Sequence, residues 1–340
     1  MSLVYPFHSP PPSGESVEIA PGVRWLRMRL PFQLDHINLW LIDCGDSWCA
    51  VDTGFADDAT RAAWDTVLNR LDKPLNRLIV THFHPDHLGL ATWLQARTGA
   101  TLAMTLGEFL TAHAVWNEVG GHGARFMCEQ FRQNGLDGER LEKFRTRGSG
   151  YRLSMPELPQ HYERLRDGNE IRLGAHTWRV IDGYGHSPEH AALQCRELGL
   201  LISGDMLLPR ISTNISVLAA TPDDDGLGRF LASLARYARE LPAETLVLPA
   251  HGLPFVGLQQ RIAELQAHHD ERLELLVAAC DKPQSAAELM SVLFPRPLDT
   301  HQTMFALGET LAHLNHLQQV GRLRKDRSPD GIVSFTRKTQ

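Results

Sequence analysis

Four side chains able to bind a metal ion fall within one short run, Thr81-His82-Phe83-His84-Pro85-Asp86-His87-Leu88-Gly89. His82 and His84, two apart in extended chain, project to one side. Pro85 biases His84 away from the α region, so the extended stretch persists up to the turn. Asp86 and His87 then fall where a helix begins, and their side chains can face a second point a few ångströms from the first. One segment can therefore supply two ligands to each of two metal positions. Neutral imidazole and carboxylate suit borderline divalent ions such as zinc, and also manganese or iron. A lone histidine is more often an ordinary core or surface residue. So many ionisable groups at a strand end, however, cost desolvation unless something pairs with them.

The elements that must hold this run can be read around it. Val17–Ala20, Val23–Arg29, Ile37–Cys44 and Trp48–Val51 are short apolar or alternating segments separated by Pro21-Gly22, Pro31 and Gly45-Asp46-Ser47, which predicts a meander of strands. A helix is expected over Asp57–Leu71, then a strand over Arg77–Thr81 leading into the histidines. Leu90, Ala91 and Leu94 predict a helix over Leu88–Arg97, with Gly99 suited to the left-handed position past its end. After a strand at Thr101–Met104 the alternation breaks. Residues 106–160, with Gly120-Gly121 and Gly148-Ser149-Gly150 as joints, read as a mostly helical insertion, too long for a simple loop. Strands resume at Glu170–Leu173, Thr177–Asp182, Ala191–Cys195, Leu200–Ser203 and Thr245–Leu248, with a helix over Asp224–Glu240. The tail reads as a helix over Gly257–Cys280, a second capped by Ser285 and running to Phe294, a third over Thr303–Val320 ending at Gly321, and a hairpin around Ser328-Pro329-Asp330-Gly331.

A 340-residue chain has room for two domains. Five cysteines without a CxxC pair argue against a disulfide framework or a zinc-thiolate site, and are expected to be reduced core residues. A net charge of −6 disfavours a large nucleic-acid footprint; residues 261–340 are neutral, with a local basic run at Arg322, Arg324, Lys325 and Arg327. The first thirty residues show no signal-peptide pattern and no apolar stretch approaches the ~20 residues of a spanning helix, so a cytoplasmic protein without membrane contact is expected.

The run HxHxDH after a strand resembles the signature of the metallo-β-lactamase superfamily, and further motifs follow in order: His186 in Gly185-His186-Ser187-Pro188-Glu189-His190, Asp205 in Ser203-Gly204-Asp205, and His251 in Pro249-Ala250-His251-Gly252. Asp52 in Val51-Asp52-Thr53-Gly54 matches the family's first motif. The resemblance covers roughly residues 15–260 and implies a four-layer αβ/βα fold binding two divalent metal ions, zinc by preference, with iron or manganese as alternatives. His82, His84 and His186 would hold the first ion and Asp86, His87 and His251 the second, with Asp205 bridging. Asp52 would hydrogen-bond beneath the ligands, and His190 would support them or serve the core. Glu189 departs from the family, in which many members carry Gly. Histidine at position 84, where relatives with oxygen chemistry place Glu, and aspartate at 205, where dinuclear β-lactamases offer Cys, make the set resemble that of glyoxalase II.

The resemblance thus implies hydrolysis of a thioester, ester or lactone by a metal-bridging hydroxide, with Asp86 as a catalytic proton acceptor. Tyr184, His113 and His122 are candidates for contacting substrate. In the tail, Ala306-Leu307-Gly308-Glu309-Thr310-Leu311-Ala312-His313-Leu314 resembles the winged-helix unit appended to such hydrolases. The expected organisation is a catalytic domain over 1–260, the insertion included, and a winged-helix domain over 261–340. A small-molecule substrate is expected. Two alternatives stand beside it: a single-strand-specific endoribonuclease, which would need a cationic track, and a metal-containing ligand sensor. Nucleic acid is disfavoured as a partner, since few cations face outward on the third tail helix, and a homo-oligomer is left open.

Overall fold

The computed structural model describes residues 2–147 and 150–338. Seven strands form one sheet in sequence order: β1 (Ser16–Ala20), β2 (Val23–Arg29), β3 (His36–Asp43), β4 (Trp48–Val51), β5 (Leu75–Ile79), β6 (Thr101–Thr105) and β7 (Glu163–Leu165). The first four run antiparallel as a meander, whereas β4 through β7 pair in parallel. A second sheet of six follows: β8 (Glu170–Leu173), β9 (His176–Gly183), β10 (His190–Cys195), β11 (Leu200–Gly204), β12 (Leu246–Pro249) and β13 (Phe255–Val256), in the order β13-β12-β11-β10-β9-β8. The alternation of each strand decides its inner face. Val23 and Trp25, Trp40 and Ile42, Cys49 and Val51 from the first sheet share one core cluster with Trp178 and Val180, Ala191, Leu193 and Cys195, Leu200 and Ile202 from the second.

The central strands are apolar on both faces because helices cover the other side. α1 (Asp58–Arg70), capped by Asp57 through Thr60 N–H, touches β2, and α3 (Ala91–Thr98) touches β5 and β6. Gly99 takes the predicted left-handed conformation, φ 73°, and its N–H closes the helix on Gln95 O. Before α3 comes a separate turn, α2 (Pro85–Leu88), where one helix from Leu88 was expected. The insertion is helical as read: α4 (Leu106–Trp116), α5 (Ala124–Gln133), α6 (Gly138–Arg147) and α7 (Gly150–Ser154). Of the joint Gly148-Ser149-Gly150, residues 148 and 149 lie outside the described residues. α8 (Gly226–Glu240) sends Arg236 to Asp167 and Glu240 to Arg179 beside the second sheet. The result is a mixed α/β fold of two sheets with helices packed on them.

Contacts divide the chain differently from the expected boundary at 260. One compact unit comprises 1–113, 151–213 and 233–262; the other gathers 114–150, 214–232 and 263–340. Most of the insertion therefore groups with the tail rather than with the sheets. The reason is local. The second unit contains α9 (Leu258–Ala279) from residue 263 onward, α10 (Ala286–Leu293), α11 (Thr300–Gln319) and the hairpin β14 (Leu323–Arg327) and β15 (Val333–Arg337). Ala287 N–H, in the first turn of α10, donates to Asn134 O at the end of α5 (3.0 Å). Asn315 on α11 gives its amide to the carbonyls of Pro222 and Asp224, 3.0 and 3.1 Å away, and His316 meets Asp225. Ser285 caps α10 as predicted, in a reciprocal box with Glu288; α11 starts earlier than read, because Asp299 and Gln302 make a second such box. No described helix is long and apolar enough to cross a membrane. All five cysteines are unpaired; four are buried and Cys44 is half-buried.

Candidate metal centre

Every candidate ligand lies in the chain that follows a strand or on the short helix α2, within the first unit. β5 ends at Ile79, two residues sooner than expected; the chain then bends at Thr81, Phe83 and His84, and His84, the residue before α2, has extended φ −62° and ψ 150°. Pro85 opens α2 and Asp86 and His87 follow on its single turn. A Cβ on Gly89 would stand 2.6 Å from Gly54 O, so the backbone after His87 packs directly on the loop that carries Asp52. His186 follows β9, Asp205 follows β11, and His251 follows β12.

These side chains converge in two groups. Ligand atoms of His82, His84, His186 and Asp205 lie within 4.8 Å of one another, and so do those of Asp86, His87 and His251. Asp205 also reaches the second group, with Oδ1 3.4 Å from His251 Nε2 and 3.6 Å from His87 Nε2, while its Oδ2 is 3.4 Å from His186 Nε2. Asp86 Oδ2 stands 3.5 Å from His251 Nε2 and 3.7 Å from His87 Nε2.

The outer ring atoms fix which nitrogen faces inward. Asp52, in the left-handed region at φ 64°, accepts from Thr81 N–H and Thr81 Oγ1–H and holds His87 Nδ1 at 2.8 Å. Thr81 Oγ1 in turn accepts from His82 Nδ1–H at 3.0 Å. His251 Nδ1–H donates to His36 O, 2.7 Å away. In all three rings the Nδ1 proton is committed outward, so Nε2 is the nitrogen that faces the centre. His190, fully buried, accepts Asp205 N–H on Nε2 and supports the backbone from below; only a glycine at 204 (φ 50°) permits this, since a Cβ there would lie 2.3 Å from that nitrogen.

The electrostatics call for positive charge. Burial opposes a charged His87, yet the carboxylates of Asp52, Asp86 and Asp205 push it up to about 10. His251 is likewise raised against its burial by Asp205 and Asp86, and Asp205, despite burial, is held well below the carboxylate range by His251 and His87. His82 and His84 are driven far down by burial and by neighbouring rings, so they stay neutral. Burial also takes His190 down to about 3. In the first group ring nitrogens face each other, His82 Nε2 at 2.9 Å from His84 Nδ1 and 3.2 Å from His186 Nε2. His87 Nε2 and Asp205 Oδ1 are buried and make no hydrogen bond among the described residues. Ring nitrogens converging on one another, beside carboxylates that hold protons on His87 and His251, fit divalent cations, whose binding would release those protons.

Other predicted residues fare differently. Tyr184, two residues before His186, keeps a third of its surface exposed. His113 on α4 is committed to packing: its Nε2 lies 3.0 Å from Pro159 O and its ring rests on Phe109. His122 belongs to the second unit, where burial lowers its pKa.

Several residues at the centre carried no sequence signal. Asn38, fully buried on β3, accepts from Trp25 Nε1–H (2.8 Å) and Arg27 Nε–H (2.9 Å) and donates to Pro249 O and Gly252 O on either side of His251. Glu108 on α4 is fully buried, and burial pushes its carboxyl up to about 7 against the hydrogen bonds it accepts from Ser187, Glu189 and Phe83. Tyr151 donates to Phe83 O at 2.7 Å, and Arg261 holds the loop after Asp205 through Leu208 O and Ile211 O.

Residues 33–251 match the metallo-beta-lactamase superfamily, and residues 273–338 match the C-terminal domain of metallo-beta-lactamase-like proteins. The chain belongs to the metallo-beta-lactamase superfamily. A beta-lactamase domain protein from Burkholderia ambifaria, of known crystal structure, is 46% identical, with 99% of this chain and 98% of that one covered and a TM-score of 0.92. Metallo-beta-lactamase family protein TTHA1429 from Thermus thermophilus is 32% identical over 94% of this chain and 100% of its own, with a TM-score of 0.79. "Probable metallo-hydrolase YqjP" of Bacillus subtilis is 25% identical over 302 residues, 86% of this chain and 91% of that protein. With this family and these His and Asp groups, the chain is a metallo-hydrolase with a candidate metal-binding site.

Proposed function

We propose that the chain is a dinuclear hydrolase that cleaves a thioester, ester or lactone, with His82, His84 and His186 on one ion, Asp86, His87 and His251 on the other, and Asp205 between them. The observation that carries this is the reach of Asp205, one oxygen toward His186 and the other toward His87 and His251. When bound, a pair of divalent ions, zinc by preference, supplies Lewis acidity that lowers the pKa of water and polarises the scissile carbonyl. Asp52, Thr81 and His36 keep the imidazoles turned inward. Asp86, one-fifth exposed at its side chain, is the group at this centre placed to take up a proton from the attacking water or pass it to a leaving group. Tyr184, two residues before His186 and a third exposed, is taken to contact substrate. The same reading takes α9 to α11 and the hairpin as a winged-helix unit.

Metal content by elemental analysis, beside turnover of an acyl thioester, a lactone and a labelled single-stranded RNA, tests it. About two ions per chain with thioester or lactone turnover is expected. Cleavage of the RNA alone, or turnover surviving in metal-depleted Asp86→Ala protein, would refute it.

A further inference from the structure

Glu108 lies outside every motif of the ligand set, yet its carboxylate joins two loops that carry it. Oε2 accepts Phe83 N–H at 2.9 Å, between His82 and His84. Oε1 accepts Ser187 Oγ–H and Glu189 N–H, both at 2.7 Å, beside His186. The attachment is reciprocal. Glu189 Oε2 accepts Gly107 N–H at 2.6 Å, and Glu189 O accepts Thr105 Oγ1–H at 2.6 Å, so the junction of β6 with α4 and the loop after β9 grip each other from both directions. A Cβ at Gly107 would come within 2.8 Å of Glu189 Cβ, so the Glu189 side chain packs directly on the start of α4.

The ligands on these loops, His82, His84 and His186, all belong to one of the two groups. The imidazoles of the other group are anchored elsewhere, His87 on Asp52 and His251 on the backbone of His36. We propose that Glu108 is a positioning residue for the first metal alone, setting the spacing of His82 and His84 against His186. This rests on the two-metal reading given above. All three partners of Glu108 are donors. Glutamine can satisfy those at one oxygen, but its amide then points an N–H at an N–H, and one loop is released while the shape is kept.

The test is cobalt(II) binding, measured by competition with a chromogenic chelator and by visible absorption, in two backgrounds. In Asp86→Ala protein only the first group is complete; in His84→Ala protein only the second is. Glu108→Gln is expected to weaken cobalt binding about 10- to 100-fold and to alter its absorption in the first background, and to change neither in the second. Equal weakening in both would show a general loosening and overturn the proposal, as would no change in the first. Should Glu108→Gln fail to fold, Ser187→Ala removes one of the three donors, and a several-fold weakening confined to the first background is expected; unchanged binding there would again overturn it. Native protein that takes up fewer than two cobalt ions would instead remove the two-metal reading, a result distinguishable from loss of selectivity in the variants.

Discussion

Replacing Asn38 by alanine is expected to be among the most destabilising single changes near the centre that touch no candidate ligand. The amide of Asn38 makes four hydrogen bonds, two at Oδ1 from Trp25 and Arg27 and two from Nδ2 to Pro249 O and Gly252 O. Its backbone N–H, bonded to Ala250 O at 2.7 Å, survives the change. Arg27 is half-buried and still reaches Gly252 O, so it is not stranded. Trp25 Nε1–H and Pro249 O are different: both are buried and both lose this partner. A buried polar group left unsatisfied costs about 1–3 kcal/mol, so the pair gives roughly 2–6 kcal/mol. Against a domain stability of about 5–15 kcal/mol this is a large fraction. Asn38→Asp keeps the acceptor for Trp25 but turns an oxygen toward two carbonyls, and should cost at least as much. Urea denaturation of metal-free protein, with the slope unchanged, reads the effect directly. A loss below about 1 kcal/mol for Asn38→Ala would mean that water replaces the amide, and the reasoning from unsatisfied groups would fail.

Other expectations follow from the same geometry. His84→Ala and Asp86→Ala should each lower metal content and abolish hydrolysis, read by elemental analysis and turnover together, while circular dichroism stays native. In the second unit His269 and His313 are buried with Nδ1 and Nε2 3.1 Å apart, and burial takes them down to about 3 and about 4, with His268, Arg272 and His316 adding to the effect and the Glu309 carbonyl opposing it at His313. Both are neutral when folded and titrate near 6.5 when unfolded, so their contribution is complete above that pH and is lost as pH falls toward 4, by up to about 1.4 kcal/mol per unit for each ring. His269→Leu should flatten that acid limb in urea titrations of metal-free protein, and an unchanged slope would contradict the assignment. Gly89→Ala should cost about 1–3 kcal/mol, because its Cβ meets the backbone of Gly54 and nothing flexible can yield; an unchanged melting temperature would show the loop shifts freely.

The ligand run could be read from sequence because its chemistry is local: residues 82–87 sit together before they fold, and the expected strand and turn follow from Pro85 and from the apolar run before it. The meander over residues 16–51 was legible for a similar reason, since each strand is bounded by its own turn residues. β7 and β13, three and two residues long, are too short to show a period. Asn38 and Glu108 were invisible because a lone Asn in a strand, or a lone Glu in a helix, is ordinary until the partner 211 or 81 residues away is in place. The early start of α11 was legible in principle, since Asp299-Thr300-His301-Gln302 is a capping pattern. That the insertion groups with the tail rests on contacts such as Asn134 with Ala287, which no periodicity announces.

The candidate ligands come from both sheets and from widely spaced points along the chain, between His82 and His251. A bound ion would therefore tie together stretches that the peptide backbone leaves far apart, as a cross-link does, and in a chain whose five cysteines are all unpaired nothing covalent shares that task. Chelation should then do more than stop turnover. Stripped protein is expected to open between the loops that carry the histidines, and to be cut there by protease while the strands behind them still hold; resupplied metal should close the same cuts off before activity is complete.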